Sequence, residues 1–226
     1  MVSLAPTPSN AHVSVAYRHM LLALGTHVSS VNTGQSQMSA STKTYHHGDL
    51  PGTLVHAAMQ LLEEDGATAL SLRAAARRAG VSTAAPYRHF ADRNALLSAV
   101  AAVGYRELAA DLAAAHPAPT EAADLAAIAV AYVQFALRRP GLFRVMFAEQ
   151  CDPASPERVA AVTAIQEYLN SIVRQTFPSS DPEAMATAVW GLVHGLAFLH
   201  LDGKLDTSSA QAVADRVRAA VRAAAG

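Results

Sequence analysis

The chain has 226 residues, 51% hydrophobic and 15% charged, with a formal net charge of −1. This composition excludes a disordered polymer and a generally basic nucleic-acid glue, and it allows one large domain or two modest ones. The charge is split mildly, +1 over residues 43–100 and −3 over residues 101–226, so any DNA-binding face has to be local and geometric.

Residues 1–42 read as an extension rich in Ser, Thr and Asn, with Met38 as an alternative start. No positive residue precedes Arg18, and the apolar stretch Met20–Leu24 is too short for a signal peptide. No apolar run reaches the roughly 18 residues of a membrane span. The single cysteine, Cys151, excludes an intramolecular disulfide and fits a reducing cytoplasm.

From there the start and stop signals of helices follow one another. Leu50, Leu54, Ala58, Leu61 and Leu62 recur at helical steps, with Asp49 to cap the first turn and Gly66 to end the last. Ser71 starts a short helix ending at Gly80, Ser82 starts another reaching Phe90, and Asp92 caps a longer one towards His116, broken by Pro117 and Pro119. Thr120 is expected to cap a helix with Leu125, Ile128, Tyr132 and Phe135 on one stripe, stopped at Pro140-Gly141, with a short piece over Leu142–Phe147. Ser155-Pro156 and Asp181-Pro182 each pair an N-cap with proline at the first helical position, where its missing N–H costs nothing. The first opens a helix with Val162, Ile165, Leu169 and Ile172 on one face, and the second a helix to about Leu201, followed by Gly203. Ser208 is expected to cap the last, with Val213, Val217 and Val221 inward. No segment has the period of two that a half-buried strand requires, so the expected fold is all-α with about nine helices.

The segment Leu72–Phe90 reads LRAAARRAGVSTAAPYRHF. Ala76 and Ala79 let two short helices approach closely, Gly80 supplies a positive φ, Val81 plugs the turn and Phe90 anchors the far end. The string AGVS–x4–YRHF, followed by ADRNALL and preceded by an amphipathic helix and ALSLR, resembles the tetracycline-repressor (TetR) family over roughly residues 45–100. The PGLFRVMF segment from Pro140 and the run from Trp190 through His194 to Gly195 resemble a C-terminal regulatory domain of that family, the Trp-His-Gly type.

With residues 1–42 set apart as a disordered extension, the resemblance implies a three-helix DNA-binding domain at 43–92 and a ligand-binding and dimerisation domain at 93–226. It implies a cytoplasmic bacterial repressor whose homodimer binds a pseudo-palindromic, double-stranded operator and leaves it on binding a small, mainly apolar effector. By the same resemblance Thr83 and Ala84 face bases, Tyr87, Arg88 and His89 lie along the groove, and Arg93 reaches a phosphate. Lys43, His46 and Arg73 add backbone contacts. Without the motif, Tyr87 and His89 read as packing residues, Arg73, Arg77 and Arg78 as a solvated face, and His46-His47 as part of an arm rather than a metal site. Three positions depart from the family pattern: Pro86 inside the second helix, which should delay or bend its first turn, Ala75 for a large apolar residue, and Asn94 after Arg93.

In the regulatory half, Ala184, Ala188, Gly191 and Gly195 form a strip of small residues, with Val213 and Val217 of the last helix completing a subunit interface. The same strip also suits packing within one chain. Trp190 and His194 stand four apart, either lining an effector pocket with Tyr132, Phe135, Met146, Phe147, Tyr168 and Phe198, or filling the core. No phosphate-cradling loop, metal-ligand spacing or nucleophile elbow points to an enzyme, and no catalytic residue, metal or cofactor is expected. The rival is a dimeric ligand-binding protein whose helix-turn-helix no longer reads DNA.

Overall fold

A computed structural model describes residues 49–117, 119–177 and 181–225, so the expectations for 1–42, Lys43, His46 and His47 lie outside the described residues. Among the described residues there are eight α-helices and no strand. They are α1 Leu50–Asp65, α2 Leu72–Arg78, α3 Arg93–Ala115, α4 Ala122–Arg138, α5 Pro140–Phe147, α6 Pro156–Thr176, α7 Pro182–Leu201 and α8 Ala210–Ala225. Two 3₁₀ turns, Ala67–Ala69 and Ala85–Arg88, complete the list.

Most helix starts fall where side-chain oxygens can take the orphan backbone N–H groups. Asp49 Oδ1 accepts from Gly52 N at 2.9 Å, Ser71 Oγ from Ala74 N at 3.1 Å, Asp92 Oδ1 from Ala95 N at 2.9 Å and Asp181 Oδ1 from Ala184 N at 3.0 Å. Two expected caps shift by one residue. Glu121, not Thr120, is the N-cap of α4, because the Asp124 carboxylate collects both the Thr120 N–H (2.8 Å) and the Glu121 N–H (3.1 Å) and holds Thr120 outside the turn. Ser208 is engaged with Asp206 through its N–H and its hydroxyl, both at 2.8 Å, so Ser209 Oγ caps α8 by accepting from Ala212 N at 3.0 Å.

The helices share one continuous apolar core from Leu54 to Val221. At its centre lies α3, whose Leu96, Leu97, Val100, Leu108 and Leu112 are fully buried. α3 packs on α4, α5 and α6, while α4 packs on α7 and α8. The first two helices join this body through α3 and through the start of α5. There the backbones nearly touch: a Cβ added at Gly141 would sit 2.8 Å from the Leu62 carbonyl oxygen, so only glycine permits the approach. Beside it, Arg139 pairs with Glu63 of α1 and Glu107 of α3, each at 2.9 Å. Burial pushes the Glu107 carboxyl above its ordinary value despite this cation.

Val213 and Val217 do not lie on an outer face. They are 2% and 0% exposed, packed into the core where α8 meets α4, since the amphipathic α8 has only one apolar face and its own chain covers it. α7 differs from expectation in another way. It is long and apolar enough to cross a membrane by length and composition, yet it packs on α4 and α6 through Ala186, Val193, Leu196 and Ala197.

Candidate DNA-reading turn and ligand cavity

Gly80 takes φ +70°, and Val81 N donates to Ala76 O at 3.0 Å, closing α2. The expected second α-helix from Ser82 to Phe90 is instead a 3₁₀ turn over Ala85–Arg88. Pro86 is the cause. It has no N–H to offer the Ser82 carbonyl, which takes Ala85 N at 2.9 Å in a tighter loop. The Pro86 carbonyl then accepts from both His89 N and Phe90 N at 2.9 Å. Pro86 and Phe90 are buried and hold this turn to the core, while Ser82, Thr83, Ala84, Tyr87, Arg88 and His89 all face outward. Tyr87 is 53% exposed, so it is not a packing residue.

The arginines around the turn are deployed unequally. Arg78 donates to both carboxylate oxygens of Glu64 through its terminal nitrogens Nη1 and Nη2. Arg73 and Arg77 are exposed and make no ion pair with any described residue. Arg93, expected at a phosphate, turns back: Nε donates to Leu70 O at 3.1 Å, Nη2 donates to Ala67 O at 2.9 Å, and Glu149 lies 3.5 Å away. Two of its donors therefore fix the loop between α1 and α2 to the start of α3. Sequence reasoning missed this because the 3₁₀ turn Ala67–Ala69, with its inward carbonyls, carries no side-chain signal.

A cavity of about 580 Å³ opens between α3, α4, α5, α6 and α7. Tyr132, Met146, Phe147 and Trp190 line it as expected. Phe135 and Tyr168, each 1% exposed, are instead core filler outside the lining. His194 and Phe198 stand behind the wall: His194 Nδ1 shares a 2.9 Å hydrogen bond with the Tyr132 hydroxyl, and its ring lies 4.7 Å from Phe147 and 4.9 Å from Phe198. Burial lowers the His194 pKa and raises that of Tyr132, so both are neutral near pH 7. His194 is thus a hydrogen-bonded histidine in an aromatic cluster, while Trp190 belongs to the cavity and is 40% exposed.

The rest of the lining was missed. Tyr105 and Leu108 come from α3, and Arg158, Val162, Ile165, Gln166, Leu169 and Asn170 form a stripe along α6. The stripe's period was visible, but the same period reads equally as a core face. Burial raises the Tyr105 pKa to about 12, and its hydroxyl donates to Met146 O at 2.9 Å, tying α3 to α5 at the cavity floor. On α7, Ala184, Ala188 and Gly191 are exposed and Gly195 is half-buried; a Cβ at either glycine would meet nothing within 4 Å.

A short helix, a tight turn and an outward-facing 3₁₀ turn on a helical body with a cavity is the layout of a helix-turn-helix reader joined to a regulatory domain, and family membership decides whether it is a DNA-binding transcriptional regulator. Residues 54–100 match the model of bacterial regulatory proteins of the tetR family, and residues 125–224 match a tetracyclin repressor-like C-terminal domain. The chain belongs to the TetR family. It is similar to a protein of unknown function from a Rhodococcus species at 36% identity and TM-score 0.67, covering 82% of this chain and 100% of that one. The fold is also that of the TetR family regulator PfmR from Thermus thermophilus, at 18% identity, TM-score 0.55 and coverage of 76% and 96%. NalD, the secondary repressor of the MexAB-OprM multidrug efflux pump in Pseudomonas aeruginosa, gives 20% identity, TM-score 0.51 and coverage of 76% and 95%. No curated protein matches the chain.

Proposed function

We propose that the protein is a homodimeric repressor that binds a pseudo-palindromic operator through the turn Ser82–His89 and leaves it when the cavity fills. One observation carries this: burial of Pro86 and Phe90 presents Thr83, Ala84, Tyr87, Arg88 and His89 together to solvent, beside Arg73, which makes no ion pair among the described residues. Residues 43–92 then form the reader and 93–226 the sensing and dimerising part, working in the bacterial cytoplasm where the operator is.

Dimerisation is supported by α7, whose Ala184, Ala188, Gly191 and Gly195 leave a shallow apolar strip that the described chain does not cover. A second copy related by a two-fold axis would bury it and set the spacing of two reading turns. Coupling is supported by α5. Its Met146 and Phe147 line the cavity while its Gly141 abuts the Leu62 carbonyl of α1, so an occupant that moves α5 also moves the reader.

The test is a nuclease footprint on DNA flanking the protein's own gene, with light scattering of the free protein. Two protected half-sites about one helical turn apart and a dimeric mass are expected. A monomer, or protection of a single half-site, would refute the dimeric operator model.

A further inference from the structure

Among the described residues, Arg158 is the one cation of the cavity wall. Its Nε is buried without a hydrogen-bond partner, and no carboxylate among the described residues lies within ion-pair distance of it. Its neutral neighbours are the Tyr105 hydroxyl and the Cys151 sulfur. A half-buried guanidinium in such a place lacks the counter-charge that desolvated cations ordinarily have, and its planar fork of donors fits a carboxylate.

The remaining wall says what is attached to that anion. Val162, Ile165 and Leu169 continue from Arg158 along α6, with Leu108, Met146 and Phe147 opposite. From Arg158 to Asn170 this stripe spans about 18 Å at the α-helical rise. Glu183, the only acid of the lining among the described residues, opens α7; five residues separate α6 from α7 and the two helices pack together, so they run antiparallel and Glu183 stands at the Asn170 end, far from Arg158. The slot thus has a cationic end, a long apolar middle and a polar far end.

We propose that the cavity takes an elongated aliphatic carboxylate, its head paired with Arg158 and its hydrocarbon body lying along Val162, Ile165 and Leu169. This rests on the cavity being the effector site and specifies the class of effector. The head group confers selectivity and the chain contributes affinity, because the apolar walls gain by burying methylenes whatever the head.

Trp190, the only tryptophan of the chain, lines the same cavity and reports occupancy directly. The full-length protein is titrated by Trp190 fluorescence with sodium dodecanoate, dodecan-1-ol and dodecyltrimethylammonium, all below their aggregation limits, for the native chain and for Arg158→Met and Arg158→Lys. The acid is expected to bind tenfold to a hundredfold more tightly than the alcohol, and the cation more weakly than either. Arg158→Met should abolish the preference for acid while leaving alcohol binding within twofold, which also shows that the variant is folded; Arg158→Lys should keep part of it. Equal binding of acid and alcohol by the native chain, undiminished acid binding by Arg158→Met, or no binding of the acid would each overturn the proposal. A parallel gel shift separates the two levels. Acid that binds through Arg158 without releasing DNA refutes the effector role and leaves the carboxylate site standing, whereas release by the alcohol or the cation alone refutes the carboxylate site and leaves the effector role standing.

Discussion

Gly141→Ala tests the seam between the cavity-bearing body and the reader. The added Cβ would lie 2.8 Å from the Leu62 carbonyl oxygen, 3.5 Å from its carbonyl carbon and 3.7 Å from its Cβ. Two of these are backbone atoms of α1, which cannot swing aside as a side-chain end would, so α5 and α1 must part by several tenths of an ångström. Overpacking of this kind costs about 1–3 kcal/mol. For a chain of this size each kcal/mol lowers Tm by about 2–4 °C. The assay is urea unfolding followed by Trp190 fluorescence and circular dichroism, with operator affinity measured on the same preparations. Because Met146 and Phe147 ride on α5, the shift should also change operator affinity and the ligand's effect on it. A variant within about 0.5 kcal/mol of the native protein, with unchanged operator binding, would show that the seam is not close-packed and would remove the proposed route from cavity to reader.

Gly104→Ala makes the informative contrast: its Cβ would lie 2.6 Å from Met146 Sδ, a flexible thioether with the cavity beside it. The loss should stay under about 1 kcal/mol in the same urea assay, and a loss above about 2 would show that Met146 cannot yield. Arg139→Met strips Glu63 and Glu107 of their cation and should cost about 1–3 kcal/mol at pH 7. Glu107 already has a raised folded-state pKa, so without Arg139 the folded state should bind its proton at higher pH still than the unfolded chain does. Stability of the variant relative to native should therefore recover as pH falls towards 5, and a deficit independent of pH would contradict this. Burial depresses the His194 pKa, so its neutral form is the one that folding favours and the stability it lends is lost as pH falls from its unfolded value of about 6.5 through the lower folded value. Trp190, 5.7 Å from His194, should lose fluorescence over that range. In His194→Gln the quenching should vanish, and its persistence would assign it to another group.

The fold was legible because its signals are local. Asp49, Ser71, Asp92, Ser155 and Asp181 begin helices where their side chains meet orphan N–H groups, and Gly66, Gly80 and Gly203 take the positive φ that ends or turns them. The expected all-α chain of about nine helices has eight among the described residues, with the ninth replaced by the 3₁₀ turn at Pro86. That proline announced a disturbance in sequence, and its effect followed from the missing N–H.

Partnerships over long range were not legible. Arg93 shows a charge suited to phosphate in any local reading, and only the carbonyls of Leu70 and Ala67, more than twenty residues away, redirect it. Val213 and Val217 show an apolar face, but whether their own chain or a partner covers it depends on where α4 lies. The aromatic residues expected around the cavity split the same way: periodicity puts Phe135 and Tyr132 on one stripe, yet only Tyr132 reaches the open space. Arg158 went unremarked because an arginine in the first turn of a helix is ordinarily a surface residue.

The most direct test of the account is fluorescence anisotropy of DNA from the flank of the protein's own gene, titrated with native chain and with Tyr87→Ala at two salt concentrations. The native protein should bind one fragment specifically, weaken steeply with salt as phosphate contacts release counterions, and lose about tenfold or more in affinity on Tyr87→Ala, with its fold unchanged by circular dichroism. Absence of specific binding to any such fragment at low salt, or a Tyr87→Ala variant that binds like the native chain, would contradict the assignment of the Ser82–His89 turn as the DNA reader.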